Sequence, residues 1–259
     1  MDVKKYVFRL FIFWYVVGVF LLLFDLLPPM LEWANAVFLI LAGILGAIYF
    51  TANYSKAKGF FLSFFIISTT IFVEWLGVEF GLFFGHYDYN SDFGWKIAGV
   101  PIAIGFAWLM VISTTHVLAK QITNFLHMKN KIILGFFYAL IGGLAAVVVD
   151  LVIDPVAFHV KQYWLWHDGG FYYEIPFSNF AGWFILAFFL HVFVYLVLRN
   201  DWQLDRNLDW KKKMVVVNVL IILMFVILAF QGKLLLSAFI TLAATITLIA
   251  LYRKANYYD

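Results

Sequence analysis

The amino-acid sequence predicts an all-α protein, a polytopic integral membrane helix bundle of about eight transmembrane helices with both termini cytoplasmic. Three observations predict it. Hydrophobic residues are 65% of the 259 and charged residues 13%, against roughly 45–50% and about 25% in soluble chains. Too few charges remain to cover a water-facing surface. The apolar residues also run continuously, as from Val215 to Phe230, where a membrane barrel needs short alternating strands. Lastly, Lys and Arg collect on alternate connections, the signature of chain orientation in a membrane. The same composition excludes a cytoplasmic globular enzyme, a disordered tail and a disulfide scaffold. Without Cys there is no thiol nucleophile and no Cys-ligated metal or iron–sulfur centre. A net charge of +3 is too small to argue for nucleic acid.

A spanning helix needs about 20 mostly apolar residues. The first such run, 6–27, is too long for a removed signal peptide and lacks its small-residue cleavage pattern. The second is 34–51, and the third, 59–84, carries Glu74 and Glu79. The fourth, 99–119, opens on Gly99-Val100-Pro101, and the fifth, 132–154, stops at Asp154-Pro155. The sixth is 179–198, after which the polar stretch Arg199 to Lys213 reads as an interfacial loop. The last two, 214–231 and 233–252, contain no acid and are joined by Gln231-Gly232-Lys233. No repeat or linker interrupts the chain, which reads as one transmembrane domain, 1–259, with its chemistry-bearing core at about 70–190.

With the N-terminus inside, only Lys96, Lys161 and Lys233 of the 18 basic residues fall outside. That bias orients the chain in the plasma membrane. Spans three and five then both run outward. Their carboxylates, Glu74, Glu79, Asp150 and Asp154, lie in the outer halves, beneath two long outer loops, Gly85 to Gly99 and Pro155 to Ser178. These loops carry His86, Tyr87, Tyr89, Trp164, Trp166, Tyr172 and Tyr173. Topology alone brings two acidic helices and two aromatic loops to one region.

A carboxylate in hydrocarbon is expensive and by default functional. Asp150 and Asp154 are four apart and share a helix face. Two like charges there do not both ionise cheaply, so one member is a candidate general acid. Asp150, the deeper, is the expected proton donor. Glu74 and Glu79 are five apart, about 140° around a helix, and need not face the same way. A purely structural account has these acids hydrogen-bonding Trp, Tyr or backbone. In a metal account the two Asp share Mg²⁺, as in membrane prenyltransferases. That site also needs basic residues for the diphosphate, and none adjoins the four acids in sequence. A proton-coupled small-molecule transporter would use the same acids as a relay, but no repeated halves are visible. The six His form no metal cluster of the kind an oxygen-dependent membrane hydroxylase uses; His86 alone is retained as a site candidate. Most of the 31 Phe face lipid. Aromatic faces beside an acid would stabilise a passing carbocation.

In order, the polar residues read Glu74-x-x-Gly77, Gly85-x-Tyr87-x-Tyr89, Gly99-Val100-Pro101, Asp150-x-x-x-Asp154-Pro155, Trp164-x-Trp166, Tyr173-x-x-Pro176 and Asn179-Phe180-x-Gly182-Trp183. This series resembles the CruF-type carotenoid 1,2-hydratase family, which includes the bacterioruberin-pathway hydratases, over about residues 70 to 190. The resemblance implies a multi-span membrane enzyme that adds water across the terminal C1=C2 bond of an acyclic carotenoid end. It implies no redox cofactor and no metal. Glu74, Tyr87, Tyr89, Asp150, Asp154, Trp164, Trp166, Asn179 and Trp183 match family motif positions. The residues then assort as candidate catalytic acids (Asp150, Asp154, Glu74, Glu79) and candidate substrate-binding groups (Tyr87, Tyr89, Trp164, Trp166, Tyr173, Asn179, Trp183, His86). The implied partners are a linear carotenoid entering sideways from lipid, and water; a second copy or other carotenoid enzymes are compatible with it. A carotenoid cyclase, which also protonates a terminal alkene but excludes water, is the nearest alternative.

Overall fold

The computed structural model describes residues 3–90 and 94–258. Among them, eight helices are long and apolar enough to cross a membrane. They are α1 (Val3–Leu23), α2 (Trp33–Asn53), α3 (Lys56–Phe80), α4 (Ile102–Phe125), α5 (Lys131–Pro155), α6 (Phe177–Leu198), α7 (Leu208–Gln231) and α8 (Leu235–Tyr258). The chain is a multi-pass helical membrane protein. Its α4 is the central element, with 83% of its span buried; α1 lies at the periphery with 11%.

Helix ends follow local chemistry. The Ser55 hydroxyl accepts from the Lys58 N–H, opening α3, and Asn130 accepts from Ile132 and Ile133, opening α5. These are side-chain caps of otherwise orphan donors. Gly81 at φ 66° closes α3, in the left-handed region that only glycine enters freely. That stops α3 four residues before the expected end of the run. Conversely, α4 continues to Phe125, because its polar tail is buried rather than released to solvent. The stretch 199–213 is also more ordered than a surface loop. The Asn207 side chain accepts from Trp210 N–H and α7 starts at Leu208, so Lys211 is buried inside a helix.

Small residues let helices approach where no water drives them together. A Cβ on Gly142 of α5 would run into the His191 ring of α6, and one on Gly43 of α2 would lie 2.5 Å from the Phe106 carbonyl of α4.

Short strands form in the connections after α3 and α5. Tyr87–Tyr89 (β1) pairs antiparallel with Trp164–Trp166 (β4), and Lys96–Ile97 (β2) with Val100–Pro101 (β3). After Pro155 the chain makes a π-helical turn, Val156–Val160. Proline has no N–H and leaves the carbonyl one turn back without its helical donor. That carbonyl, Leu151 O, accepts instead from Tyr172 Oη (2.9 Å) and from Ser237 Oγ of α8 (2.7 Å).

Candidate active site

A cavity of about 280 Å³ lies at the C-terminal ends of α3 and α5 and the N-terminal end of α6. Three polar groups of those helices line it: Glu74, Asp154 and Asn179. Its other walls are aromatic. Trp108 of α4 and Trp183 of α6 stack with ring centroids 4.2 Å apart. Tyr87, Tyr89, Trp164 and Trp166 enter from the β1–β4 pair. Tyr87 packs on Trp166 at 4.9 Å and Tyr89 meets Trp164 edge-on at 6.0 Å. On the far side, α1 and α2 contribute an apolar wall that includes Trp14, Gly18 and Phe38. Phe13 and Val17 of α1 both line the cavity and are exposed, at 64% and 40%, so it opens sideways toward lipid.

Both oxygens of Glu74 are engaged. Oε2 accepts from the Tyr87 hydroxyl and from the Tyr89 hydroxyl (2.7 Å), and Oε1 accepts from the Trp108 indole N–H (2.8 Å). Burial, then the adjacent Glu74 charge, pushes the Tyr87 and Tyr89 phenols well above their ordinary value. Both therefore remain donors. Three donors on one carboxyl suit a carboxylate.

The two aspartates are held differently. The Asn179 amide donates to Asp150 Oδ2 at 2.9 Å and to Asp154 Oδ2. The space between the carboxyls is thus taken by a neutral NH₂ group. Asp150 is fully buried and Asp154 nearly so, yet Asp154 is on the cavity wall and Asp150 is not among the lining residues. Asp150 Oδ1 and the indole N–H groups of Trp164 and Trp166 are buried without a hydrogen-bond partner. The Trp164 N–H interacts with Asp154 without completing a hydrogen bond.

Three candidates stand apart from this cluster. Glu79 is exposed on the helix surface. His86 is at the exposed rim, its Nδ1 3.2 Å from Asp168, and that hydrogen bond holds the Asp168 carboxyl below its usual range. The Tyr173 hydroxyl accepts from the Leu236 and Ser237 N–H groups, so it caps α8 rather than facing the cavity. Asn179, expected among the substrate-binding groups, bridges the two acids. Trp108 was not singled out from sequence, because one Trp in an apolar span carries no positional signal. Lys161 also reaches the lining; one ammonium does not make a diphosphate site. Among the described residues no three His, Asp or Glu gather as a metal site.

The family described as carotenoid biosynthesis protein matches residues 34–251, a stretch that contains Glu74, Asp154 and Asn179 and leaves out α1. No curated protein and no solved structure matches the chain.

Proposed function

We propose, from the premise that the chain belongs to the carotenoid biosynthesis protein family, that it is a carotenoid 1,2-hydratase acting in the plasma membrane. The observation that carries this reading is Asp154. It is a carboxyl on the wall of an aromatic cavity, with an uncommitted indole donor beside it. Alkene hydration needs a dry acid, a stabilised cation and a positioned water, and those groups supply all three.

In this reading the acyclic end of a polyene enters sideways past α1. The cavity holds that end and leaves the rest of the chain in lipid, since about 280 Å³ is at the small end for a ligand site. The Asp154 O–H gives its proton to C2, and the C1=C2 π electrons form the new C–H bond. A tertiary cation is left at C1. The π faces of Trp108, Trp183 and Trp164 stabilise it, as does the fixed Glu74 carboxylate. A water held by the Trp164 N–H and the Asp154 carboxylate adds its oxygen to C1 and returns a proton to Asp154. One water is consumed per double bond, and the product is a tertiary alcohol. Asp150 lies behind the Asn179 amide as the like-charged neighbour that keeps the proton on Asp154. It is a positioning residue, not the donor that its depth in the sequence suggested.

The test is expression in cells that accumulate lycopene, followed by mass analysis of the extracted pigment. A gain of one water per reacted end, with oxygen from labelled water, is the expected result. Unchanged mass with a shifted spectrum would replace the proposal with a cyclase. Oxygen taken from O₂ would overturn it.

A further inference from the structure

The end of the bundle opposite the acids holds a second cavity, of about 690 Å³. It lies where the basic-residue bias places the cytoplasmic leaflet. Lys120 and Gln121 of α4, Asp205 of the α6–α7 loop, Lys211 of α7 and Asn256 of α8 contribute to its lining. The two lysines are unusual for a membrane protein because they are buried, 3% and 7% exposed. Both ammoniums converge on one carboxylate. Lys120 Nζ donates to Asp205 Oδ1 at 3.1 Å and Lys211 Nζ to Asp205 Oδ2 at 2.8 Å. Their other acceptors are uncharged: the Leu204 carbonyl (3.1 Å) and the Tyr54 hydroxyl (3.4 Å) for Lys120, and the Gln121 amide for Lys211.

Among the described residues, charge counting around this cavity does not close. Burial pushes the Asp205 carboxyl up, but the ammonium of Lys120 and then that of Lys211 outweigh it and hold the group below its ordinary value. Asp205 is therefore ionised and contributes one negative charge against two positive. The neighbouring ions do not supply the missing charge. Asp201 is paired with Lys58 at 2.6 Å, Asp209 with Lys213, and Arg206 donates to the Tyr54 carbonyl at 2.6 Å, adding charge of the same sign. A desolvated charge left uncompensated is costly. Nature retains one where a ligand of opposite sign completes the site.

We infer that this cavity binds the phosphate group of an anionic lipid headgroup. A singly charged phosphodiester balances the excess charge of the two lysines against Asp205, and its oxygens suit ammonium and amide donors. Basic pockets between helix ends on the cytoplasmic side are suited to such headgroups. The apolar rim favours a lipid over a soluble phosphate. Leu208 lines the cavity and is 59% exposed, and the half-buried Met128 and Leu134 line it as well. Acyl chains below a headgroup would lie on such side chains. Free phosphate would gain nothing from them.

The experiment uses the purified full-length protein in neutral detergent and counts retained lipids by native mass spectrometry. Phosphatidylglycerol is compared with phosphatidylcholine, whose choline cancels its phosphate charge. The expected result is retention of phosphatidylglycerol at least about tenfold above phosphatidylcholine, from two basic contacts. Lys211→Gln should abolish that preference. Asp205→Asn removes the competing carboxylate and should tighten retention, the opposite of what loss of a merely structural ion pair would do. Equal retention of the two lipids overturns the site. Competition by inorganic phosphate at concentrations comparable to the lipid overturns the lipid source. Should Lys211→Gln fail to fold, Asp205→Asn decides alone: weaker or unchanged phosphatidylglycerol retention overturns the inference.

Discussion

Asp154 and Asp150 sit one turn apart on α5 and accept from the same Asn179 amide, yet Asp154 reaches the cavity wall and Asp150 lies behind it. The pair is therefore asymmetric, and its two members should respond differently to the same substitution. Asp154→Asn is expected to lower hydration at least about 10²-fold, the low end for loss of a general acid. Asp150→Asn should lower it less, and should move the pH at which turnover falls, because the like-charged neighbour of Asp154 is gone. Pigment hydration in membranes, normalised to protein level across pH, checks both. A dead Asp150→Asn beside an active Asp154→Asn would reverse the roles.

Glu74 is expected to be sensitive to loss of charge. In Glu74→Gln an amide NH₂ would face at least one of the donors Tyr87, Tyr89 and Trp108, leaving a buried donor unmatched at about 1–3 kcal/mol. Both thermal stability in detergent and turnover should fall. Tyr89→Phe removes one of three donors and should have the smaller effect. Glu79→Gln serves as the contrast: its side chain is exposed, and both readings should stay near native. Equal losses in all three variants would sink the assigned role of Glu74.

The fold was legible in the sequence because apolar run length and basic-residue placement report directly on membrane crossing. Part of the cavity was legible for the same reason. Topology put Glu74, Asp154, Asn179 and the Tyr and Trp pairs at one end. Which acid faces the cavity was not legible. Asp150 and Asp154 share a face by spacing, and only the packing of α6 against α5 decides which of the two is covered. Lys120 and Lys211 read as ordinary inner-side charges, because their burial depends on the Asn207 cap and the 199–207 turn folding back over α4. Glu79 was separable from Glu74 by helix angle, and the structure places it outside.

Pro155 supplies a stability test that does not depend on catalysis. Tyr172 and Ser237 both donate to the Leu151 carbonyl that proline leaves without its helical donor. Each of Tyr172→Phe and Ser237→Ala should cost about 0.5–1.5 kcal/mol. The double variant should cost more than the two together, since the carbonyl is then left with no partner. Unfolding temperatures of the four proteins in one detergent give the coupling. Simple additivity would mean that the two bonds act independently.

Orientation is open to labelling because the chain has no native Cys. Cys introduced at His167 or at Lys254, both exposed, should react from opposite sides of the membrane, His167 from outside. Labelling of position 167 from the cytoplasmic side would invert the topology and with it the leaflet assigned to each cavity.

Hydration should also continue in EDTA and without oxygen. The Asn179 amide fills the gap between the two Asp carboxyls, which is where a bridging cation would have to sit. Loss of turnover on chelation, restored by Mg²⁺, would favour the prenyl-transfer chemistry instead.

The β1–β4 pairing makes the connections that carry these strands sensitive to odd and even changes in length. Tyr87, Tyr89, Trp164 and Trp166 line the cavity, while Asp88 and Leu165, opposite each other between them, are exposed. Side chains of a strand alternate with a period of two, so a one-residue slip exchanges its faces. A single-residue insertion or deletion that shifted this register would turn two cavity rings outward and bring Asp88 or Leu165 in, whereas a change of two residues would keep the parity. Among natural variants of this chain, length differences in the strands themselves should therefore come in pairs, while odd-numbered changes collect in stretches such as 168–171, which pair in no ladder.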